Sequence, residues 1–98
     1  MNLSELTAEM NKFVELQGWY SAESKRPQTA RNLAISLSLE SSEVLEHLQW
    51  GENIIDKQAF ADELADVALY MLQLAQVTGI DIEEAIHNKL KINESRSW

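Results

Sequence analysis

Apolar positions recur every three to four residues in four stretches of the chain, and this period predicts four helices and no strand. The helices are predicted over residues of about 3–17, 28–50, 56–78 and from 81 onward. Glycines follow the first three helices, and an Asp-x-x-Glu capping box opens the fourth at Asp81 and Glu84. Residues 18–27 combine Gly18, Pro27 and small polar side chains, which is typical of a loop. The pattern therefore predicts an all-α domain over residues 1–98.

The third predicted helix is apolar on nearly all sides. One stripe holds Phe60, Leu64, Val67, Met71 and Leu74, and small or apolar residues widen it around the helix. Such a helix is buried on several sides, and four helices of this size cannot surround it alone. We therefore expect a four-helix bundle completed by self-association, as a dimer or as a tetramer built from two dimers.

The charge balance excludes some classes of partner. The chain has 16 acidic and eight basic residues, a formal charge of −8, which disfavours nucleic acid as a partner. Cysteine is absent, so no disulfide or thiolate metal site is expected. The first ten residues lack the features of a signal peptide, and no apolar run reaches the length of a membrane span. A cytoplasmic protein that does not contact a membrane is expected, and a phosphorylated ligand would need a cation in its site.

Two pairs of carboxylates, Glu40/Glu43 and Glu63/Asp66, have the i, i+3 spacing that stacks side chains on one helix face. The eight residues before Glu40 and the fourteen after Asp66 carry no charge. Measured from the turn between helices two and three, Glu43 and Glu63 lie about 11–12 Å away, and the other two about 15–17 Å away. In an antiparallel hairpin the pairs are level, and four converging carboxylates favour Mg²⁺ or Mn²⁺. The alternative is two solvated acidic patches.

Other side chains could bind the rest of a nucleotide. Lys89, Asn93 and Arg96 recur at i, i+4 and i+7 on helix four and could hold the oxygens of a triphosphate. Alternatively, they form a basic cluster that favours the negative end of the helix dipole. Three aromatic residues could stack on a base, although core packing is their more frequent use: Trp19, Trp50 and Tyr70.

Three motifs occur in an order and spacing shared with one known superfamily. They are Glu40-Ser-Ser-Glu43 followed by Glu63-Leu-Ala-Asp66, then Lys89-x-x-x-Asn93-x-x-Arg96, and the flanking runs Arg31-Asn32-Leu33-Ala34, Leu48-Gln49-Trp50 and Asp66-Val67 with Tyr70. Together they resemble the MazG-like all-α nucleoside triphosphate pyrophosphohydrolases, and the flanking runs are similar to the small dCTP pyrophosphatase branch. The resemblance spans about residues 19 to 96.

The resemblance implies a function for these positions. The enzyme would hydrolyse nucleoside triphosphates, in particular dNTPs such as dCTP, to the monophosphate and pyrophosphate. Glu40, Glu43, Glu63 and Asp66 would bind Mg²⁺, and a carboxylate with the metal would activate the water that attacks the α-phosphorus. Substrate contacts would come from Lys89, Asn93, Arg96, Trp50, Tyr70 and Trp19. Glu46, one turn past Glu43, is either a further ligand to the metal site or a solvated helix residue.

Some positions depart from the branch, and other functions compete. Leu48 replaces a usual Phe, Gln28 replaces a His, and Arg96-Ser97-Trp98 stands where the branch has Arg-Tyr-Pro, which leaves the base preference open. A di-iron bundle needs Glu-x-x-His on two helices, and only Glu84-Ala-Ile-His87 fits. A non-catalytic helical interaction module is the remaining alternative, and it would tolerate neutral amides at the four carboxylate positions.

Overall fold

The computed structural model describes residues 1–97, so Trp98 lies outside the described residues. Within that range the chain forms four α-helices and no strand, which confirms the predicted all-α fold. The helices are α1 (Leu3–Leu16), α2 (Ala30–Glu46), α3 (Lys57–Val77) and α4 (Ile82–Glu94). No helix in this part of the chain combines the length and the apolar character that crossing a bilayer requires.

Short polar side chains start every helix. Asn2, Thr29, Asp56 and Asp81 each accept a hydrogen bond from a backbone N–H in the first turn. Asp81 does so from Glu84 at 3.1 Å, which confirms the predicted start of α4. A cap of this kind contributes about 1 kcal/mol to helix stability. These local signals explain why the starts of three helices lie within one residue of the predicted positions.

The end of α2 differs from the prediction. The helix ends at Glu46, four residues before Trp50, and the next residues form tight turns. His47 N–H donates to Val44 at 3.2 Å, and Leu48 N–H donates to Leu45 at 2.9 Å, both in an i to i−3 pattern. Local helix propensity is a weak preference, and here the reversal of the chain into α3 overrides it.

The packing centres on the hairpin of α2 and α3. These two helices form the largest contact, α1 packs on α3, and α4 packs chiefly on α1. The hairpin is antiparallel, because Gln28 just before α2 contacts Gln73 near the end of α3. A small core of Met10, Val14 and Leu72 lies between α1 and α3. This arrangement places the carboxylates of α2 and α3 on facing surfaces.

The single chain leaves part of α3 exposed, as its apolar pattern predicts. Leu64 and Leu69 are 48% and 45% exposed, and no residue of α4 is buried. Phe13 and Leu6, which share a cavity with Leu69, are also exposed. The apolar surface of α3 therefore exceeds what the other three helices cover, as its pattern indicated.

Candidate functional site

The candidate site is built on two matching helix faces. Each face has residues at positions i, i+3, i+7 and i+10, a spacing that keeps side chains on one side of a helix. On α2 these are Leu33, Ser36, Glu40 and Glu43, and on α3 they are Glu63, Asp66, Tyr70 and Gln73. Because the hairpin is antiparallel, Glu43 lies opposite Glu63 and Leu33 lies near Gln73. The site is thus acidic at one end and has an aromatic residue and an amide at the other.

The acidic end brings together three of the four predicted carboxylates. Glu40, Glu43 and Glu63 are half-buried, and each places a carboxylate oxygen within 4.8 Å of the other two. Oε2 of Glu40 and Oε2 of Glu63 are inaccessible to solvent and accept no hydrogen bond from residues 1–97. A buried carboxylate oxygen without a donor is costly, and a cation is the partner that satisfies several such oxygens together. The three side chains therefore fit a hard divalent cation.

The electrostatics of this cluster reflect mutual repulsion. Burial raises the pKa of Glu40 to about 7, and the hydrogen bond shared with Glu43 and the neighbouring negative charges act in the same direction. The pKa of Glu63 is also raised, first by its hydrogen bond with Glu43 and then by burial, while His47 opposes the shift. The cluster thus binds protons above the usual carboxylate range unless another positive charge is present.

Asp66 lies beside this triad. Its charge raises the pKa values of Glu40 and Glu63, so it is close to both. Its side chain is exposed and lines a neighbouring cavity together with Tyr70. The structure therefore places the fourth predicted carboxylate at the edge of the cluster, on the side of the aromatic residues.

A cavity of about 340 Å³ continues the site beyond the carboxylates. Trp19 and Tyr70 line it together with Gln28 and Ser36, and the Arg26 guanidinium lies 5.5 Å from the centre of the Trp19 ring. Ser36 is one helical turn before Glu40, and Tyr70 is one turn after Asp66, a distance of about 6 Å along each helix. The cavity is therefore adjacent to the acidic cluster, with an aromatic lining suited to a flat ring.

A second, more apolar cavity of about 460 Å³ also reaches Trp19 and Tyr70. Leu6, Phe13 and Leu69 line it, and the ring of Phe13 meets Trp19 edge to face at 5.6 Å. These three apolar side chains are exposed in the single chain. The wall of this cavity is more apolar than the wall of the cavity lined by Gln28 and Ser36.

Several predicted site residues lie elsewhere in the protomer. Trp50 is 90% exposed after the end of α2 and lines neither cavity, so the structure brings together only Trp19 and Tyr70 of the three aromatic residues. Lys89, Asn93 and Arg96 belong to α4 or follow it directly, and no α4 residue lines either cavity. Asn93 is half-buried. Their roles in substrate binding stay predictions.

Two residues beside the cavity were not singled out by the sequence patterns. Gln73 interrupts the apolar stretch after Asp66 and falls seven residues beyond it, so its helical spacing was a usable signal. Arg26 lies in the loop before α2, and no periodic pattern connects a loop residue with Trp19. Glu46, the candidate further ligand, is exposed on α2.

Known proteins are similar to this chain in sequence and in structure. The sequence model of the MazG-like family matches residues 35–97. A dATP/dGTP diphosphohydrolase of Salmonella phage PMBT28 is 55% identical over 38 residues, which are 39% of this chain and 13% of that protein. Another, of cyanophage S-2L, is 53% identical over 36 residues, 37% of this chain and 34% of that protein. The chain therefore spans at most about a third of the length of these relatives.

A solved structure extends the likeness to nearly the whole chain. A pyrophosphatase from Archaeoglobus fulgidus superposes with a TM-score of 0.79 at 32% sequence identity. The superposition covers 93% of this chain and 87% of the archaeal one. At this coverage the superposition takes in most of the α2–α3 hairpin.

Proposed function

The chain belongs to the MazG-like family, and on this premise we propose that it hydrolyses deoxynucleoside triphosphates to the monophosphate and pyrophosphate. The observation that carries the proposal is that an acidic cluster and a cavity lie side by side along the α2–α3 hairpin. Glu40, Glu43 and Glu63 converge in the cluster. The cavity of about 340 Å³ that is lined by Trp19, Ser36 and Tyr70 begins about one helical turn away. The names of the phage relatives and of the archaeal structure agree with this reaction.

Mg²⁺ is the proposed cofactor, with Mn²⁺ as a possible substitute, because all the available ligands are carboxylate oxygens. Glu40, Glu43 and Glu63 would hold the cation, and Asp66 would complete the set at its edge. The chemistry that such a cation supplies is neutralisation of phosphate charge and activation of a water nucleophile. The two inaccessible Oε2 atoms of Glu40 and Glu63 are the structural support for this assignment.

Attack at the α-phosphorus is what the family resemblance implies. A base in the cavity lined by Trp19, Ser36 and Tyr70 would lie about one helical turn from the carboxylates. The α-phosphate is the phosphate nearest the pentose, so it would lie at the carboxylates, about one helical turn from the base. Trp19 and Tyr70 thus bind and orient the nucleoside, and one carboxylate of the cluster accepts a proton from the attacking water.

A second copy of the chain is part of the proposal. It would cover the exposed apolar residues around Leu69 and Phe13 and so complete the core of α3. Within one protomer, α4 packs on α1, away from the carboxylates. The proposed contacts of Lys89, Asn93 and Arg96 with the substrate therefore depend on a neighbouring protomer, as does any contact from Trp50.

The base preference needs a direct assay. The resemblance to the dCTP pyrophosphatase branch favours dCTP, whereas the phage relatives are named for dATP and dGTP. We propose a dNTP as substrate, with dCTP as the first candidate and the purine dNTPs as the comparison. The four dNTPs should be supplied in turn with Mg²⁺, and both pyrophosphate and orthophosphate should be measured.

Two amide substitutions test the mechanism. Glu43→Gln and Asp66→Asn should each lower kcat/KM by more than about 100-fold, because each removes a carboxylate near the proposed cation. Glu52→Gln is the matched control, since Glu52 is an exposed glutamate in the turn after α2 and lies outside the acidic cluster. Unchanged activity in the two variants, or orthophosphate as the product, would contradict the proposal. If the chain were a helical interaction module, neither wild type nor any variant would hydrolyse a dNTP.

A further inference from the structure

A buried amide in the cavity wall has an unusual set of partners. Gln73 is only 4% exposed although it is polar, and its Nε2 donates a hydrogen bond to Oε1 of Gln28. Gln28 in turn donates from its own Nε2 to the carbonyl oxygen of Arg26 at 2.6 Å. Gln28 also lines the cavity that contains Trp19. The two amides therefore connect the interior of the hairpin to the proposed base pocket.

The hydrogen bonds set the direction in which the Gln28 amide points. The backbone carbonyl of Arg26 can only accept, so the NH₂ group of Gln28 must face it. The carbonyl oxygen of Gln28 must then face Gln73, and Gln73 must present its NH₂ group. Rotation of the Gln28 amide by 180° would place its oxygen against the Arg26 oxygen and its NH₂ group against that of Gln73, which would lose both bonds. Rotation of the Gln73 amide would place oxygen against oxygen and would lose the bond between the two amides.

Tyr20 lies next to Gln73 on its other side. Tyr20 donates its hydroxyl to Oδ1 of Asn11 at 2.8 Å, which leaves the hydroxyl oxygen free to accept. Burial is the largest cause of the raised pKa of Tyr20, Glu15 adds to it, and a hydrogen bond with Gln73 acts in the opposite direction. Gln73 is thus a donor toward both Tyr20 and Gln28, and on the Gln28 side the hydrogen bonds end at the Arg26 carbonyl, which can only accept.

Gln28 keeps hydrogen-bonding capacity for a ligand. One N–H of its NH₂ group and one lone pair of its carbonyl oxygen are not used by Arg26 and Gln73. Adenine and cytosine present an amino donor next to a ring-nitrogen acceptor on their Watson–Crick edge. Guanine and thymine present an oxo acceptor next to an N–H donor. An amide free to rotate pairs with either pattern, but an amide held in one orientation pairs well with only one.

We propose that Gln28 is a specificity-determining residue that separates amino bases from oxo bases, and that Gln73 is a positioning residue that holds the Gln28 amide in one orientation. The proposal rests on the nucleotide pocket of the proposed function. It concerns the class of base and is independent of base size. It also gives Gln73 a reason to be polar in a helix whose other buried residues, Leu72 and Ala75, are apolar.

Matched substrates isolate this property. The pairs dATP/dITP and dCTP/dUTP each differ only in the amino or oxo pattern of the base. With Mg²⁺, wild-type kcat/KM should differ by more than about tenfold within each pair, and in the same direction for both, since one well-placed hydrogen bond contributes about 1.4 kcal/mol or more. A ratio within about threefold of unity in either pair, or opposite directions, would overturn the proposal.

Two variants distinguish reading from positioning. Gln28→Met and Gln73→Met keep the side-chain length but remove the amide, and each should bring both ratios to within about threefold of unity. Gln58→Met is the matched control, because Gln58 is exposed at the start of α3 and donates a hydrogen bond to Asp62, away from the cavity. If Gln73→Met does not fold, Gln28→Met at its half-buried position still decides the result. Wild-type ratios retained in a folded variant would overturn the assignment.

Calorimetric binding of the monophosphates separates this proposal from the proposed function. Wild type and the variants should be titrated with dAMP against dIMP and with dCMP against dUMP. Selective binding without hydrolysis would contradict the proposed reaction and would support the role of Gln28 in base selection. Hydrolysis without selectivity would support the proposed reaction and would contradict the role of Gln28 in base selection. Absence of both would contradict the two proposals together.

Discussion

Replacing Glu40 with glutamine should stabilise the metal-free protein at neutral and alkaline pH. Burial and the neighbouring carboxylates raise the pKa of Glu40 from 4.5 to about 7 in the folded chain. Between these two values the folded state binds more protons than the unfolded state, so stability falls as the pH rises through this range. The stability that protonated Glu40 contributes is complete below about pH 4.5 and is lost above about pH 7. Glu40→Gln cannot lose it, because an amide carries no charge.

The size of the effect follows from the spacing of the carboxylates. Oxygens of Glu40 and Glu43 lie within 4.8 Å of each other. Two unit charges at that distance repel by about 0.9 kcal/mol even with the full screening of water. For a domain of this length, about 1 kcal/mol shifts Tm by roughly 4–8 °C. At pH 8 in EDTA the variant should therefore melt at least about 4 °C above wild type.

The assay is thermal unfolding followed by circular dichroism from pH 4.5 to 8, with and without Mg²⁺. In EDTA the gain in Tm should appear between about pH 5 and 7 and should be absent at pH 4.5. With Mg²⁺ the order should reverse, since the cation stabilises the wild-type cluster more than the variant. Glu52→Gln, at an exposed position outside the cluster, should follow the wild-type curve. A Glu40→Gln variant that is less stable than wild type at pH 8 in EDTA, or a gain that is the same at every pH, would refute the reasoning.

Two further outcomes are expected. Trp19→Ala should raise KM for the preferred dNTP by about 5- to 150-fold, because stacking on an aromatic ring contributes about 1–3 kcal/mol per base; a kinetic titration measures this, and an unchanged KM would remove Trp19 from the pocket. Light scattering should give a multiple of the 11.2 kDa chain mass, and Leu69→Glu should shift it toward one chain, since Leu69 is 45% exposed in the apolar cavity. A monomeric wild type would contradict the expected self-association.

Much of the backbone could be predicted because its signals are local. The 3.6-residue period identified four helices, and the capping box at Asp81 and Glu84 marked the start of the fourth. The i, i+3 spacing of Glu40/Glu43 and Glu63/Asp66, combined with equal distances from the hairpin turn, predicted that the two pairs would be level. Three of these four carboxylates do converge within 4.8 Å. Helix rise and chain reversal are simple geometry, so this part of the site needed no knowledge of distant contacts.

The family resemblance supplied expectations of a different kind. The prediction that Lys89, Asn93 and Arg96 contact the substrate rested on their match to the family motif. In the structure, α4 packs against α1. Trp50 was predicted beside Trp19 and Tyr70, yet it is 90% exposed after α2 ends early. A motif identifies which residues recur in a family, but it does not show on which face of the fold, or in which chain of an assembly, they lie relative to the site.

Sequence alone thus determined the helices, their starts and the acidic pairs, because these depend on spacing along a regular backbone. The folded chain was needed to show that Gln28 meets Gln73, 45 residues away, and that Arg26 lies over Trp19. The loop that carries Trp19 and Arg26 has no period, so nothing in its order of residues indicates where it returns to the helices. A helical period identifies which side chains share a face, whereas the neighbour of that face is selected by packing of the whole chain.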